Sequence, residues 1–312
     1  MYYIGIDLGG TNIAVGVVDS EGRIIAKAET PTLAQRPYQD VIRDMALCTK
    51  RAIENAKISE DDVASIGIGI PGVAIDGVIV FCTNLGWHDI PMEAEFRKYI
   101  DKPVFMDNDA TVAGWAEHQA GVSRGTNSSV FLTLGTGVGG GIVLNGKIWA
   151  GEHGAGSEIG HTVLVAGGDL CTCGKRGCTE RYCSASAIIR MAKEACAKNP
   201  ENAIMTAVNG DPEKINAKIV FDAAKAGDPV ALDVFDKYAH YLALAVNNVI
   251  SFFDPDMIIL GGGVSRAGDF LLNGVKDRLP EYLFYPTLKQ PELRLASLGN
   301  DAGIIGAALL GQ

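Results

Sequence analysis

Two stretches of the chain repeat one design. Residues 3–19 read YIGIDLGGTNIAVGVVD and residues 130–146 read VFLTLGTGVGGGIVLNG. Each passes from an apolar segment into a glycine-rich bend, then into a second apolar segment and a polar turn, which is the pattern of a β-hairpin. Glycine belongs in such a bend where the backbone must come close to another group, because no Cβ intervenes. The repeat predicts two related domains, one starting near residue 1 and the other near residue 121.

The segments between and after the repeats alternate in type. A helix is predicted at about 38–57, strands at ASIGIGIP (64–71), VIVFCTN (78–84) and KPVFMD (102–107), and a helix at 111–120. Further helices are predicted around 184–198, 216–226 and 228–252. A short buried strand, MIILGGG, follows at 257–263, and the tail DAGIIGAALL forms a helix of small residues. This alternation of strands and helices is that of an α/β protein.

The first bend, DLGGTN at 7–12, reads as a nucleotide-phosphate cradle. The backbone around Gly9 and Gly10 can turn its N–H groups toward oxygens, Thr11 adds a hydroxyl, and Asn12 adds an amide. Asp7 ends the strand and would hold Mg²⁺, through water. The second bend, Gly135-Thr136-Gly137 within GTGVGGG, is followed by another strand rather than a helix. That separates it from the dinucleotide fingerprint, and the lack of a Lys-Ser/Thr end separates it from a P-loop. A third glycine turn, Gly261-Gly262-Gly263, follows a strand and precedes a helix, where a base or ribose can approach closely. Three such turns together point to nucleotide binding, where one alone reads equally well as a plain hairpin.

Residues 171–180 read CTCGKRGCTE. Cys171, Cys173 and Cys178 have the spacing C-x-C-x4-C, and either His161 or Cys183 completes a four-ligand set. Such a closed tetrahedral set is that of structural Zn²⁺. The chain holds seven cysteines, an odd number, and begins MYYIGIDLGG with neither a basic start nor a signal-like apolar run. Disulfides are therefore not expected, and a cytoplasmic location is. No apolar run reaches membrane-spanning length. A net charge of −10 argues against nucleic-acid and membrane-surface partners, both of which are anionic.

With these motifs in place, the chain resembles the ROK family (repressors, open reading frames and kinases), and within it the bacterial glucokinase type. The resemblance is carried by DLGGTN (7–12), GIPG (69–72), TNLGW (83–87), NDA (108–110), LGTGVGGG (134–141), GEHGAGSEIGH (151–161), CTCGKRGCTE (171–180) and DPDMIILGGG (254–263). It implies an actin-like (ribonuclease H-like) α/β ATPase fold, with a nucleotide and sugar cleft between two domains. These are expected at 1–120 and 121–297, with the helix in 298–312 packing back on the first and a zinc segment at 161–178. It also implies ATP and Mg²⁺ as cofactors, a homodimer, and a structural Zn²⁺ on His161, Cys171, Cys173 and Cys178. Repressor members carry an N-terminal helix-turn-helix for which a chain reaching DLGG at residue 7 leaves no room.

The resemblance further implies phosphoryl transfer from ATP to a hexose, glucose in first place. N-acetylmannosamine, N-acetylglucosamine, allose and fructose are the alternative acceptors, and a non-catalytic sugar sensor is a more distant reading. Asp109 would be the general base, although its position alone reads as the N-cap of the helix at 111–120. Asn84, Asn108, Asp109, Glu158, His161 and Glu180 would meet the sugar. Trp87 reads as wall or core more readily than as a stacking surface.

Overall fold

The computed structural model describes residues 1–312. The chain first forms β1 (Tyr2–Leu8), β2 (Asn12–Val18), β3 (Ile24–Pro31) and α1 (Tyr38–Ala56). It continues through β4 (Val63–Ile70), β5 (Val73–Ile75), β6 (Val78–Cys82), β7 (Trp87–Ile90), α2 (Met92–Arg97), β8 (Val104–Asn108) and α3 (Asp109–Gln119). The second repeat gives β9 (Ser129–Leu134), β10 (Val138–Leu144) and β11 (Lys147–Ile148). It is followed by α4 (Glu180–Cys183), α5 (Ala185–Lys198), α6 (Ala203–Ala207), α7 (Ala217–Lys225), α8 (Pro229–Phe253), β12 (Met257–Gly261), α9 (Asp269–Arg278), β13 (Glu292–Leu295) and α10 (Ala302–Ala308). Both predicted hairpins form, and every predicted helix and strand has a counterpart. β3, β5, β7, β11, β13 and the short helices α2, α4 and α6 are additional to the predicted elements.

One five-stranded sheet has the order β3-β2-β1-β4-β8, with β1, β4 and β8 parallel. The side chains of β1 alternate between its two faces, as strand geometry requires. Ile4, Ile6 and Leu8 enter one core with Val41, Ile42 and Met45, which recur at helical spacing on α1. The other face, which packs Tyr3 and Val18 against Ile304 and Ala308, is bare along one row. Gly16, Gly5 and Gly67 are aligned across β2, β1 and β4. A Cβ on Gly5 would lie 1.8 Å from the Ile304 carbonyl oxygen, and one on Gly67 would lie 1.7 Å from that of Ala307. This glycine row is what lets the small-residue helix α10 lie directly on the sheet. Two residues further along the strands, Asp7, Gly69 and Asp107 form the next row on the same face.

The second five-stranded sheet has the order β11-β10-β9-β12-β13, and β5-β6-β7 make a small third sheet. Helix α8 is started by Asp228, whose carboxylate accepts from Ala231 N (2.9 Å), with Pro229 at the first helical position. The chain divides into two compact units: residues 1–131, 141–157 and 297–312, and residues 132–140 and 158–296. No helix is long and apolar enough to cross a membrane.

Candidate active site

In the first unit the bend after β1 is closed by Gly9 N donating to Asn12 O (3.0 Å). A Cβ on Gly9 would stand 2.9 Å from that same oxygen, so the turn requires glycine. The bend is pinned from outside by Thr32, a fully buried residue that the motif reading passed over. Its Oγ1 donates to Gly9 O (2.6 Å) and its N donates to Thr11 O (2.8 Å). Gly10, Thr11 and Asn12 are left exposed at the tip. Asp7 lies beneath them at the end of β1, against Gly303 of α10, where a Cβ would come within 2.7 Å of its Oδ2. Burial pushes the Asp7 carboxyl above the ordinary range.

Three further predicted residues, Asn84, Asn108 and Asp109, belong to the same unit. Asn84, exposed in the turn at 83–85, lies close enough that a Cβ on Gly10 would be 3.6 Å from its own. Asn108 and Asp109 stand where β8 passes into α3. Position alone gave the helix cap to Asp109, and the structure gives it to Asn108. The Asn108 Oδ1 accepts from Ala110 N (2.9 Å) and Thr111 N (3.4 Å), and its Nδ2 donates to Gly72 O (3.2 Å). Asp109 is instead the first residue of the helix. It is exposed, with Oδ1 accepting from Ala110 N at 2.8 Å. The capping demand is thereby met by a neutral neighbour, and the charged residue is displaced one position toward solvent. Burial raises the neighbouring Asp107 carboxyl to about 6, partly opposed by the hydrogen bond it accepts from Asn108 N (2.7 Å). Trp87 is buried and meets Tyr38 edge-on, so it is core.

In the second unit the other bends converge on Val138 and Leu134. Gly135 N donates to Gly137 O (3.0 Å), Gly135 O accepts from Ala185 N (2.8 Å), and Thr136 O accepts from Ser186 Oγ (2.8 Å). The bend is thus held by the start of α5. Gly262, at φ +78°, packs on Leu134, whose backbone N and O would both be 2.7 Å from a Cβ there. Gly261 and Gly263 flank it, so the second and third glycine turns are neighbours. Glu180, the first residue of α4, accepts through Oε2 from Val138 N (3.2 Å). A Cβ on Gly137 would be 2.2 Å from that oxygen. Gly160, just before His161, approaches the Val138 carbonyl equally closely, at 1.9 Å for a notional Cβ. One residue at the start of β10 therefore meets both Glu180 and the residue that precedes His161. Glu158, two positions before Gly160, is exposed.

The ligand atoms of His161, Cys171, Cys173 and Cys178 all lie within 4.8 Å of one another. Cys171 Sγ is 3.7 Å from His161 Nδ1, and Cys173 Sγ is 3.6 Å from Cys178 Sγ. Ligands about 2.3 Å from a tetrahedral centre are separated by roughly 3.8 Å, so three thiols and one imidazole fit a single metal ion. Cys183 is outside the group. It is fully buried, its carbonyl accepts from Tyr238 Oη (2.5 Å), and burial pushes its thiol far up. His161 is thus the fourth member. Cys171 Sγ and Thr172 Oγ1 also lie 3.6 and 3.4 Å from Glu180 Oε1, which ties the cluster to the carboxylate seated on Val138.

A profile of the ROK family matches residues 3–312. The glucokinase of Halalkalibacterium halodurans is 39% identical over 99% of this chain and 94% of its own length. That of Thermotoga maritima is 39% identical over 98% and 95%. Among solved structures, a ROK family glucokinase from Streptomyces griseus in complex with glucose and AMPPNP superposes with a TM-score of 0.83 at 34% identity, covering 99% of this chain and 98% of that one.

Proposed function

The chain belongs to the ROK family, and from that membership we propose that it is an ATP-dependent hexose kinase that phosphorylates glucose. Its fold is the actin-like α/β fold of the ROK glucokinases, and full-length similarity to glucokinases supports a phosphotransferase acting on a sugar. The observation that carries the reading is the junction of β8 and α3. There the cap is Asn108, and Asp109 presents an exposed carboxylate at the start of a helix.

In this reading the Asp109 carboxylate takes the proton of the sugar 6-hydroxyl as its oxygen attacks the γ-phosphorus, and the bond to the bridging oxygen breaks to release ADP. The exposed bend at 10–12 and the bend at 135–137, exposed at Thr136, would offer backbone N–H groups to the phosphates, and 261–263 would leave room for the base and ribose. Asp7 would hold Mg²⁺, which neutralises phosphate charge during transfer. Asn84, Asn108, Glu158, His161 and Glu180 would take the sugar hydroxyls. His161, Cys171, Cys173 and Cys178 would hold a structural Zn²⁺, with Nδ1 toward the thiols and Nε2 left for the sugar. A homodimer and a cytoplasmic location belong to the same reading.

The test is direct. The purified protein should release ADP from MgATP only when glucose is present. Asp109→Asn should lower kcat by about 10²–10⁴-fold, the usual contribution of a general base, while glucose binding by calorimetry stays within a few-fold. Wild-type turnover in that variant contradicts the assignment of the base.

A further inference from the structure

The polypeptide passes between the two compact units at four places: 131/132, 140/141, 157/158 and 296/297. Helix α3 touches the first unit's end of every one. A Cβ on Gly114 would lie 3.0 Å from Phe131 Cβ and 3.3 Å from Gly141 Cα. Thr111 Oγ1 is 3.3 Å from Ser157 Oγ, both buried. At the other end of the helix, Glu117 is fully buried and holds the fourth place. Its Oε1 accepts from Ser297 N (2.7 Å) and Leu298 N (2.8 Å), and its Oε2 accepts from Ser297 Oγ (2.8 Å) and Val122 N (2.8 Å). The carboxylate reaches this position because residue 121 is glycine, where a Cβ would stand 2.1 Å from Oε2.

A buried carboxylate is tolerated only when its oxygens are satisfied, and here four donors converge on it. Three are backbone N–H groups, so removing the carboxylate strands donors on two separate segments. The first residue of this same 11-residue helix is Asp109. A helix of that length is a rod of about 16 Å, and loosening one end displaces the other.

We propose that Glu117 is a positioning residue for phosphoryl transfer: it fastens the 296–298 crossing to the last turn of α3 and so sets Asp109, at the first turn, in its reactive place. The proposal rests on the kinase reading and on Asp109 as base. Displacement of a reacting group by about 1 Å can cost on the order of 10²-fold in rate. Glu117→Gln keeps size but turns an amide N–H₂ toward N–H donors.

The experiment is a double-mutant cycle of Glu117→Gln and Asp109→Asn on the full chain, with MgATP and glucose, folding being checked by circular dichroism melting. The expected result is a folded E117Q with kcat lowered at least about tenfold and glucose KM within about threefold. In the D109N background, with residual turnover read at high enzyme concentration, E117Q should cause no further loss. Wild-type kcat in folded E117Q, or an equal loss in both backgrounds, overturns the proposal. Should E117Q fail to fold, Ser297→Ala, which removes one of the four donors, decides: a kcat about two- to fivefold down at unchanged KM supports it, and an unchanged kcat overturns it. Full turnover in D109N overturns the base assignment and the proposal with it. Loss in D109N with none in E117Q overturns the proposal alone.

Discussion

The bends at the tips of the two repeated hairpins read alike in sequence and are held in unlike ways. The bend at 9–12 is closed on itself by Gly9 and Asn12 and pinned by a single buried residue, Thr32, through its hydroxyl and its backbone N–H, and its tip at 10–12 is exposed. The bend at 135–137 is tied by two hydrogen bonds to the start of α5 and is pressed by the Glu180 carboxylate, which sits where a Gly137 side chain would be. Glycine in the first bend permits a tight turn. In the second it makes room for an acid that the cysteine cluster holds from the other side. The same hairpin therefore serves as an open loop in one unit and as the seat of a braced polar site in the other.

The largest expected effect breaks the brace itself. Cys178→Ser, or chelation of the metal, should take zinc content from one ion per chain to none by elemental analysis. It should also lower unfolding stability by ~4 kcal/mol or more, as loss of a structural metal does. Retained stability with no metal bound would show that the cluster does not brace the segment. Next in size, Gly137→Ala should lower kcat/KM for glucose about 100-fold by displacing Glu180, whereas Gly10→Ala, whose Cβ meets only ordinary contact with Asn84, should change it less than about threefold. Equal effects in steady-state kinetics would erase the distinction between the bends.

A third variant addresses the packing beneath the first bend. Gly67→Ala drives a Cβ into the α10 backbone and should destabilise the protein by about 1–3 kcal/mol in urea unfolding. The smallest effect has the opposite sign. Asp107 is raised by burial from its ordinary value of about 4 to about 6. The folded state thus holds its proton more tightly than the unfolded chain does, and stability falls as pH rises between about 4 and 6. Asp107→Asn should then stabilise the protein at pH 7 by at most about 3 kcal/mol and have no such effect below pH 4. Melting curves at the two pH values check it.

Much of this was legible in the sequence because the signals were local. Glycine bends between apolar runs named both hairpins, and the C-x-C-x4-C spacing named three of the four clustered ligands. The choice between His161 and Cys183 was not local. It depended on α4 turning Cys183 into the core against Tyr238. The cap at α3 was misplaced by position for a similar reason: Asn and Asp are equally good caps, and the helix starts two residues earlier than its apolar pattern does. Thr32 and Glu117 left no trace in any motif, because all their partners except Val122 lie 21 to 181 residues away and only the folded chain brings them together. The glycines at 5, 16 and 67 looked like ordinary strand residues until register aligned them under α10.

The measurement that bears most directly on the account is a coupled ADP-release assay with MgATP against glucose, mannose, fructose, allose, N-acetylglucosamine and N-acetylmannosamine. Strong turnover on glucose with weak turnover on the acetamido sugars is the predicted result. Sugar binding without turnover on any of them would contradict it and make the protein a sensor rather than a kinase.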